Sequence, residues 1–343
     1  MKIGFTYDLR REYTAMGFSD EETAEFDSDV TIDAIEAALQ GLGHEVLRIG
    51  NIYELTSQLA AGNRWDLVFN ISEGLYGAAR ESQVPALLDA YRIPYTFSDP
   101  LTLAVSLDKA VAKKLVLQAG VPTPEFFVIQ SIDDISHERL LRENLFPLFV
   151  KPLTEGTGKG ISADSIVWAP DAFRKQCSDL LGRFGQPVLV ETYLPGREFT
   201  AGIIGTGENA KCIGVMEITL NKEAEPGVYS YLNKEFYEER VVYSLVKDKE
   251  IIREAADIAL RAHRILGCRD AARADLKADA QGRLSFIEIN PLAGLHPVRS
   301  DLSILCGKIG VPYTELISRI IGSASQRVRK TRLPNFLASQ LLT

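Results

Sequence analysis

The chain has 343 residues, of which 46% are hydrophobic, 24% are charged and four are cysteine. This length and balance exclude disorder over most of the chain and indicate roughly two domains, or three. The 46 acidic residues outnumber the 38 Lys and Arg residues and give a net charge of −8, which argues against a protein that wraps nucleic acid.

Features that would direct the chain to a membrane or out of the cell are not found in the sequence. No apolar run approaches the ~18 residues of a membrane span, and the opening MKIGFTYD precedes no long apolar segment. We therefore expect neither a membrane partner nor a signal peptide. The cysteines, which have no metal-binding spacing and indicate buried thiols in a reducing cytoplasm, are Cys177, Cys212, Cys268 and Cys306.

Residues 1–98 predict an α/β unit in which strands and helices alternate. Ile3, Phe5 and Tyr7 alternate along the chain as in a half-buried strand. The acidic stretch 20–29 has weak periodicity and is interpreted as a loop or a solvated face. Helices separate the further strands, which are expected at 45–49, 66–70 and 94–97. This order favours an open, mostly parallel sheet with helices on both faces.

Two further units are expected after residue 98. Residues 99–193 are interpreted as a smaller α+β unit, with strands at 126–129, 146–152, 165–168 and 187–191 and helices near 132–143 and 170–184. Residues 194–325 are interpreted as a larger unit, with strands near 198–205 and 211–218, a mobile segment at 221–240, a helix at 250–266 and a hairpin at 272–290. Residues 326–343 are expected to form a basic, frayed tail.

The hairpin carries the most informative polar residues. Its sequence, ARADLKADAQGRLSFIEIN, has two strands around a turn of Asp, Ala, Gln and Gly. Because side chains alternate along a strand, Arg273 and Asp275 share one face, and so do Glu288 and Asn290. In an odd register all four point the same way, and their oxygen ligands suit Mg²⁺ completed by substrate phosphates. The alternative is an exposed polar face with an incidental ion pair.

A second group of residues is a strand that runs into a glycine-rich loop, FVKPLTEGTGKG, at 149–160. Such loops let backbone N–H groups approach phosphates closely. The P-loop pattern is not matched, because Leu153 stands where it needs Gly and Gly160 where it needs Ser or Thr. Lys151 on the preceding strand offers a fixed cation, and Lys109 in LDKAVAKKL offers a second. The alternatives are a plain flexible hairpin and an exposed helix lysine.

The third group lies on a strand that ends at an acid. The segment VLVETYLPGREF places Glu191 at the end of an apolar strand and Glu198 at the start of the next. A strand edge between two units can offer its backbone to a purine ring, and a carboxylate can accept hydrogen bonds from ribose hydroxyls.

Between about residues 66 and 322 the chain resembles the ATP-grasp superfamily and, within it, the D-alanine–D-alanine ligase family. The segments that carry the resemblance occur in the family's order: DLVFN, IPY, SLDK, AGVPTP, FPLFVKPLTEGTGKGIS, VLVETYLPGREFT, and then R-x-D and E-x-N. The resemblance implies an ATP-grasp fold of mixed α/β and α+β class behind an N-terminal Rossmann-like domain. ATP would lie between the central and C-terminal units.

The resemblance also implies an activity. The family's reaction would make the chain an ADP-forming ligase that joins a carboxylate to an amine through an acyl phosphate. Its cofactors would be ATP and Mg²⁺, with Mn²⁺ as an alternative ion. Its partners would be small-molecule substrates and a second copy of the chain, with no nucleic acid or membrane, in the cytoplasm. Segment 221–240 would close over the site to exclude water.

Matching positions assign roles to individual residues. The ATP phosphates would be contacted by Lys109, Lys151 and the loop residues Glu155, Gly156, Thr157 and Gly158. Adenine and ribose would lie against Glu191, Thr192, Leu194 and Glu198. The Mg²⁺ ligands would be Asp275, Glu288 and Asn290. Lys234 would reach the γ-phosphate, and the oxyanion would be stabilised by Arg273 and the backbone near Gly294.

Departures from the family pattern fall where it reads its amino-acid substrates. The family's HGxxGEDG becomes EGLYGAAR here, so the histidine is replaced by Glu73 and Arg80 appears. The serine that would hold a substrate carboxylate aligns nearest Arg299 or Ser300. These four residues are the predicted substrate contacts, with the arginines favouring substrate carboxylates; for each arginine the alternative is a surface position.

Three hypotheses of function remain open. The first is a carboxylate–amine ligase whose substrates differ from two D-alanines. The second is an authentic D-alanine–D-alanine ligase of cell-wall synthesis. The third is a nucleotide-binding regulator of the same fold that has lost turnover.

Overall fold

The computed structural model describes residues 1–136 and 142–331. In the first sheet, β1 (Lys2–Thr6) lies between β2 (Glu45–Gly50) and β3 (Leu67–Asn70) and runs parallel to both. The helices of this unit are α1 (Arg10–Ala15), α2 (Asp29–Gly41), α3 (Ile52–Ala60) and α4 (Gln83–Ala90). The strand predicted at 94–97 is reduced to a single parallel bridge, in which Tyr95 pairs with Val68 of β3.

Helices α5 (Pro100–Leu107) and α6 (Lys109–Gln118) lead from the first unit into the second sheet. Each begins at an aspartate, Asp99 or Asp108, whose side chain accepts a hydrogen bond from a backbone N–H of the first turn. The strands of the second sheet are β4 (Phe126–Ile129), β5 (Leu148–Pro152), β6 (Ile166–Val167) and β7 (Val188–Thr192). They pair antiparallel in the order β4-β7-β5-β6.

Helix α7 (Pro170–Phe184) packs against the second sheet through its buried residues Phe173, Cys177 and Leu180. The prediction of one helix near 132–143 lies partly outside the described residues. On either side of 137–141 the chain forms short 3₁₀ turns, at Asp133–Ser136 and Glu143–Leu145.

The third sheet carries the hairpin. Its strands are β8 (Glu198–Ile204), β9 (Lys211–Leu220), β10 (Val241–Leu245), β11 (Ala271–Ala278) and β12 (Leu284–Asn290), paired antiparallel in the order β10-β9-β8-β11-β12. Helix α10 (Lys249–Leu266) covers one face with buried alanines and leucine. Between β9 and β10, the segment predicted to be mobile contains α8 (Tyr231–Glu235) and α9 (Tyr237–Arg240).

The last two helices, α11 (Asp301–Lys308) and α12 (Tyr313–Thr331), return to the first sheet. Ile317 and Ile320 are fully buried in one core cluster with Ile3 and Ile35. The expected frayed tail is therefore helical as far as residue 331, and Arg327 pairs with the buried carboxylate of Asp270 at 2.5 Å. Residues 332–343 lie outside the described part of the chain.

The structure bears on the expected state of the cysteines and on the expectation of no membrane span. All four cysteines are free; three are buried and Cys212 is half-buried. Within the described ranges, no helix combines the length and the apolar character needed to cross a membrane.

Candidate active site

The hairpin presents its polar residues in two opposed pairs. Arg273 lies opposite Asn290, and Asp275 lies opposite Glu288, so the four side chains share one face of the sheet. The Arg273 guanidinium donates to both carboxylate oxygens of Asp275, at 3.0 and 2.8 Å, and pairs with Asp301 at 3.1 Å. Two carboxylates thus hold this guanidinium in one orientation.

Lysines surround the carboxylate of Glu288. The Lys109 ammonium is 3.6 Å from Glu288 Oε2, and Lys151 and Lys234 also attract this carboxylate. Burial alone would raise the pKa of Glu288, but the attraction of Lys109, Lys151 and Lys234 outweighs burial and lowers the pKa to about 2. Glu288 is therefore ionised at neutral pH.

Asp275 and Glu288 form a donor set that suits a divalent cation. Burial raises the pKa of Asp275, and the charge of Glu288 adds to this effect although Arg273 opposes it. A cation between the two carboxylates would relieve that repulsion, and Asn290 adds an amide oxygen. No group of three His, Cys, Asp or Glu side chains in residues 1–136 and 142–331 could hold a metal. A cation on this face would therefore also need oxygen atoms from a bound ligand.

A buried charge cluster holds Lys151 in place. Both Lys113 and Lys151 pair with the Glu191 carboxylate, at 2.5 and 3.0 Å. Burial would raise the pKa of Glu191, but the two ammonium groups lower it, whereas burial lowers the pKa of Lys113 to about 8. Sequence reasoning missed Lys113, although it lies one helical turn after Lys109 and so on the same face of α6.

The glycine-rich loop passes directly beneath α8. Gly158 has a φ of +76°, in the left-handed region that favours glycine. A Cβ atom at Gly158 would lie 2.9 Å from the backbone nitrogen of Tyr231, so no other residue permits this close approach. On α8, the Lys234 ammonium is 4.6 Å from the ring centre of Tyr229.

Glu25 holds the glycine-rich loop in place through Lys159 and Gly156. Its carboxylate pairs with Arg80 at 2.9 Å and with Lys159 at 3.0 Å, and it accepts a hydrogen bond from the Gly156 N–H at 2.5 Å. The three side chains are each less than 10% exposed. Burial would raise the pKa of Glu25, but Arg80 and Lys159 lower it.

This arrangement bears on the predictions for the acidic stretch 20–29 and for Arg80. The acidic stretch 20–29 is not uniformly solvated, because Glu25 is buried in it. Arg80 does not line either cavity described below; its guanidinium donates to Glu25 and to the Thr154 carbonyl. In this arrangement Arg80 positions the loop through Glu25 and the Thr154 carbonyl.

Two adjoining cavities bring the remaining predicted residues together. They share Lys109, Glu155, Lys234 and Glu288. One cavity is also lined by Lys151, Gly158, Glu191, Thr192, Leu194, Glu198 and Asp275. The other cavity, which is the larger of the two, is also lined by Glu73, Gly156, Thr157, Arg273, Asn290, Gly294, Arg299 and Ser300. The hairpin face thus lies where the two cavities meet.

Local contacts position the residues at the ends of these cavities. Glu198 pairs with Lys277 at 2.8 Å, and Arg299 pairs with Glu235 of α8 at 3.3 Å. The Ser300 hydroxyl accepts a hydrogen bond from the His296 N–H at 2.9 Å. A Cβ atom at position 294 would lie 2.9 Å from that hydroxyl, which favours glycine there.

Asp27 is expected to make the protein less stable as the pH rises. Burial raises its pKa to about 7, whereas an unfolded Asp has a pKa of about 3.9. Because the unfolded state loses its proton first, stability falls between about pH 4 and 7, by up to about 4 kcal/mol. Asp27→Asn should therefore raise the Tm at pH 8 but not at pH 4.5. A Tm difference that is independent of pH in a thermal-shift series would contradict this assignment.

Comparisons with known proteins agree with this geometry. Residues 115–322 match the family model described as D-ala D-ala ligase C-terminus. A D-alanine--D-alanine ligase of Aquifex aeolicus is 32% identical over 288 residues, which are 84% of this chain and 92% of that protein. The chain belongs to the D-alanine–D-alanine ligase family. The predictions that the chain belongs to this family and that it is a ligase are therefore confirmed.

Other members of the family extend the comparison. A D-alanine--D-alanine ligase of Desulforudis audaxviator is 30% identical over 86% of this chain and 92% of its own. The Bacillus anthracis enzyme, solved in complex with ATP, superposes with a TM-score of 0.73 at 23% identity, over 96% of this chain and 99% of its own. The predicted ATP-grasp fold is thereby confirmed.

Proposed function

We propose that this family member is an ATP- and Mg²⁺-dependent ligase that joins a carboxylate to an amine through an acyl phosphate and releases ADP. The observation that supports it best is the hairpin face. Two carboxylates, an amide and a guanidinium lie together there at the junction of the two cavities. Binding of a nucleotide alone does not require all four groups.

The cavity beside Glu191 suits ATP. Lys109 and Lys151 are fixed cations for the phosphates, held by Glu288 and Glu191 respectively, and the glycine-rich loop would cover those phosphates. The adenine ring would lie against the segment from Glu191 to Leu194, and Glu198 would accept from the ribose. A divalent cation held by Asp275, Glu288 and Asn290 would neutralise charge on the phosphates.

The other cavity would hold the carboxylate and the amine. A carboxylate is a poor electrophile, and transfer of a phosphoryl group to it creates a leaving group. Lys234, which lines both cavities, would stabilise the charge on that group. Attack by the amine then forms a tetrahedral oxyanion, which collapses to the amide with loss of inorganic phosphate. Arg273 and the backbone near Gly294 would stabilise that oxyanion.

The segment that carries α8 and α9 would exclude water from the acyl phosphate. Glu235 pairs with Arg299 at 3.3 Å and lies 3.9 Å from Arg10 of the first unit. The Tyr237 hydroxyl donates to the Val298 carbonyl at 3.2 Å. Glu235 and Arg299 line the larger cavity, so a movement of the segment would change access to it.

Replacing Lys151 with alanine is expected to weaken binding of the nucleotide about 10- to 100-fold, since a charge-assisted contact to phosphate is lost. Glu191 keeps its partner Lys113, so the fold should be retained. Titration calorimetry with β,γ-methylene-ATP and Mg²⁺ measures the affinity. Lys175→Ala, at an exposed position of α7, is the matched control. An unchanged affinity in Lys151→Ala would show that the phosphates bind elsewhere.

The activity itself can be tested with a substrate panel. The protein is incubated with ATP, Mg²⁺ and sets of D- and L-amino acids, and release of ADP and phosphate is followed. Stimulation by D-alanine alone would identify an authentic D-alanine–D-alanine ligase. Release of AMP would exclude an acyl phosphate, and tight ATP binding without turnover across the panel would favour the regulator hypothesis.

The altered cavity favours a substrate pair other than two D-alanines. Glu73 stands where the family pattern has histidine, and it lines the larger cavity together with Glu81. A cytoplasmic location and a homodimer remain predictions for this chain.

A further inference from the structure

One wall of the larger cavity is acidic. The cavity is lined by Glu25, Asp27, Glu73 and Glu81, all from the first unit. Of these, Glu25 is neutralised by Arg80 and Lys159. The other three form no ion pair with any residue that the structure describes. Burial raises the pKa of each of them, so a cationic group that enters the cavity would stabilise their ionised forms.

Among these three residues, Glu81 gives the clearest indication of a bound ligand. Its side chain belongs to a residue that is 9% exposed, it lines the cavity, and it has no hydrogen-bond partner among the described residues. The two cations that act on it are committed elsewhere: Arg80 binds Glu25, and Lys109 binds the Glu155 carbonyl at 2.6 Å. A cationic ligand would supply the missing partner of this carboxyl group and favour its ionised form.

A second unsatisfied group lies in the same cavity. The Ser106 hydroxyl belongs to a residue that is 5% exposed and has no hydrogen-bond partner within the described part of the chain. A hydroxyl can accept from an ammonium group while a carboxylate balances its charge. Glu81 and Ser106 together therefore offer acceptors to a donor that the protein itself does not supply.

Cationic groups also line the cavity, and they lie on the hairpin and on α8. Arg273 and Lys234 stand beside the hairpin face, where the proposed function places the substrate carboxylate. An ordinary α-amino acid brings a single ammonium group, which can neutralise one of the three carboxylates on the acidic wall. At least two of them then remain unpaired.

We propose that one of the two substrates is an amino acid whose side chain carries a second amine, and that Glu73 and Glu81 bind it. This inference rests on the proposed function for the position of the substrate carboxylate. It deepens that function by naming a diamino carboxylic acid as the substrate class.

Matched pairs of amino acids test the inference. Diaminobutyrate, ornithine and lysine are compared with aminobutyrate, norvaline and norleucine, as both enantiomers, so that each pair differs mainly by the terminal amine. Binding is measured by titration calorimetry with β,γ-methylene-ATP and Mg²⁺, and turnover by ADP release. We expect one diamino acid to bind about 10- to 100-fold more tightly than its neutral counterpart.

Variants distinguish a role of Glu73 and Glu81 in binding the second amine from a general effect on activity or stability. Glu81→Gln keeps the shape and removes the charge, and it should abolish the preference for the second amine while the Tm stays the same or rises. Glu73→Gln should reduce the preference as well. Glu208→Gln, whose side chain is 91% exposed, should keep both activity and preference.

The outcomes distinguish the two proposals. Equal or weaker binding of every diamino acid would overturn the inference, and ADP release with neutral amino acids would leave the ligase function standing. Preferential binding of a diamino acid without ADP release from any pair would support the inference and overturn the proposed function. A preference that survives in both Glu81→Gln and Glu73→Gln would overturn the assignment of the acidic wall.

Discussion

Replacing Glu288 with glutamine is expected to lower kcat for ADP release by about 10³-fold or more while the fold is retained. The carboxylate is ionised, with a pKa of about 2, because Lys109, Lys151 and Lys234 overcome the effect of burial. Glutamine has the same shape but lacks the charge that a divalent cation requires. The loss should therefore appear in turnover rather than in folding.

Steady-state ADP release, with circular dichroism to verify the fold, measures this effect. Asp275→Asn should behave in the same way, because Asp275 faces Glu288 across the hairpin. Glu208→Gln serves as the control, since its exposed side chain lies outside both cavities. If Glu288→Gln turns over at the same rate as the unaltered chain, the hairpin does not hold the cation.

Replacing Glu25 with glutamine is expected to lower the free energy of unfolding by about 3–5 kcal/mol, because it leaves the buried Arg80 without its counter-charge, whereas Lys159 keeps Glu155. Arg80 and Lys159 are 6% and 8% exposed in their side chains. The same change frees the Gly156 N–H from its anionic partner. We therefore also expect a higher KM for ATP, since the loop over the phosphates loses its anchor.

Denaturant unfolding at neutral pH measures the change in the free energy of unfolding. Asp20→Asn is a matched control from the same acidic stretch, because its side chain is 83% exposed and should contribute no more than about 1 kcal/mol. Arg80 and Lys159 lower the folded-state pKa of Glu25, so its stabilisation is present above about pH 4.5 and is lost as the pH falls. Equal stability of Glu25→Gln and Asp20→Asn would contradict the buried cluster.

The predictable parts of the site are those that local rules control. Alternation along β11 and β12 was enough to put Arg273 with Asp275 on one face and Glu288 with Asn290 on one face. That the two pairs share the same face depends on a β-bulge between Asp275 and Leu276, which shifts the register by one residue. Lys151 could be predicted because it directly precedes the glycine-rich loop on the same strand. In each of these cases the relevant neighbours are close in sequence.

The unpredicted parts depend on contacts between segments distant in the chain. Glu25 meets Arg80 and Gly156, which are 55 and 131 residues away, and an aperiodic acidic stretch carries no sign that one of its members is buried. Lys113 belongs to a helix whose polar residues resemble a solvated face. The burial of α12 against the first sheet likewise reflects packing across the whole chain.

The measurement that tests the proposed reaction most directly follows oxygen from the substrate carboxylate. The protein is supplied with ATP, Mg²⁺, the amine and an amino acid labelled with ¹⁸O in its carboxyl group. If the carboxylate is phosphorylated and then attacked by the amine, the released phosphate carries one ¹⁸O atom per amide bond formed, together with ADP. Label in AMP, or phosphate without label, would contradict the acyl phosphate.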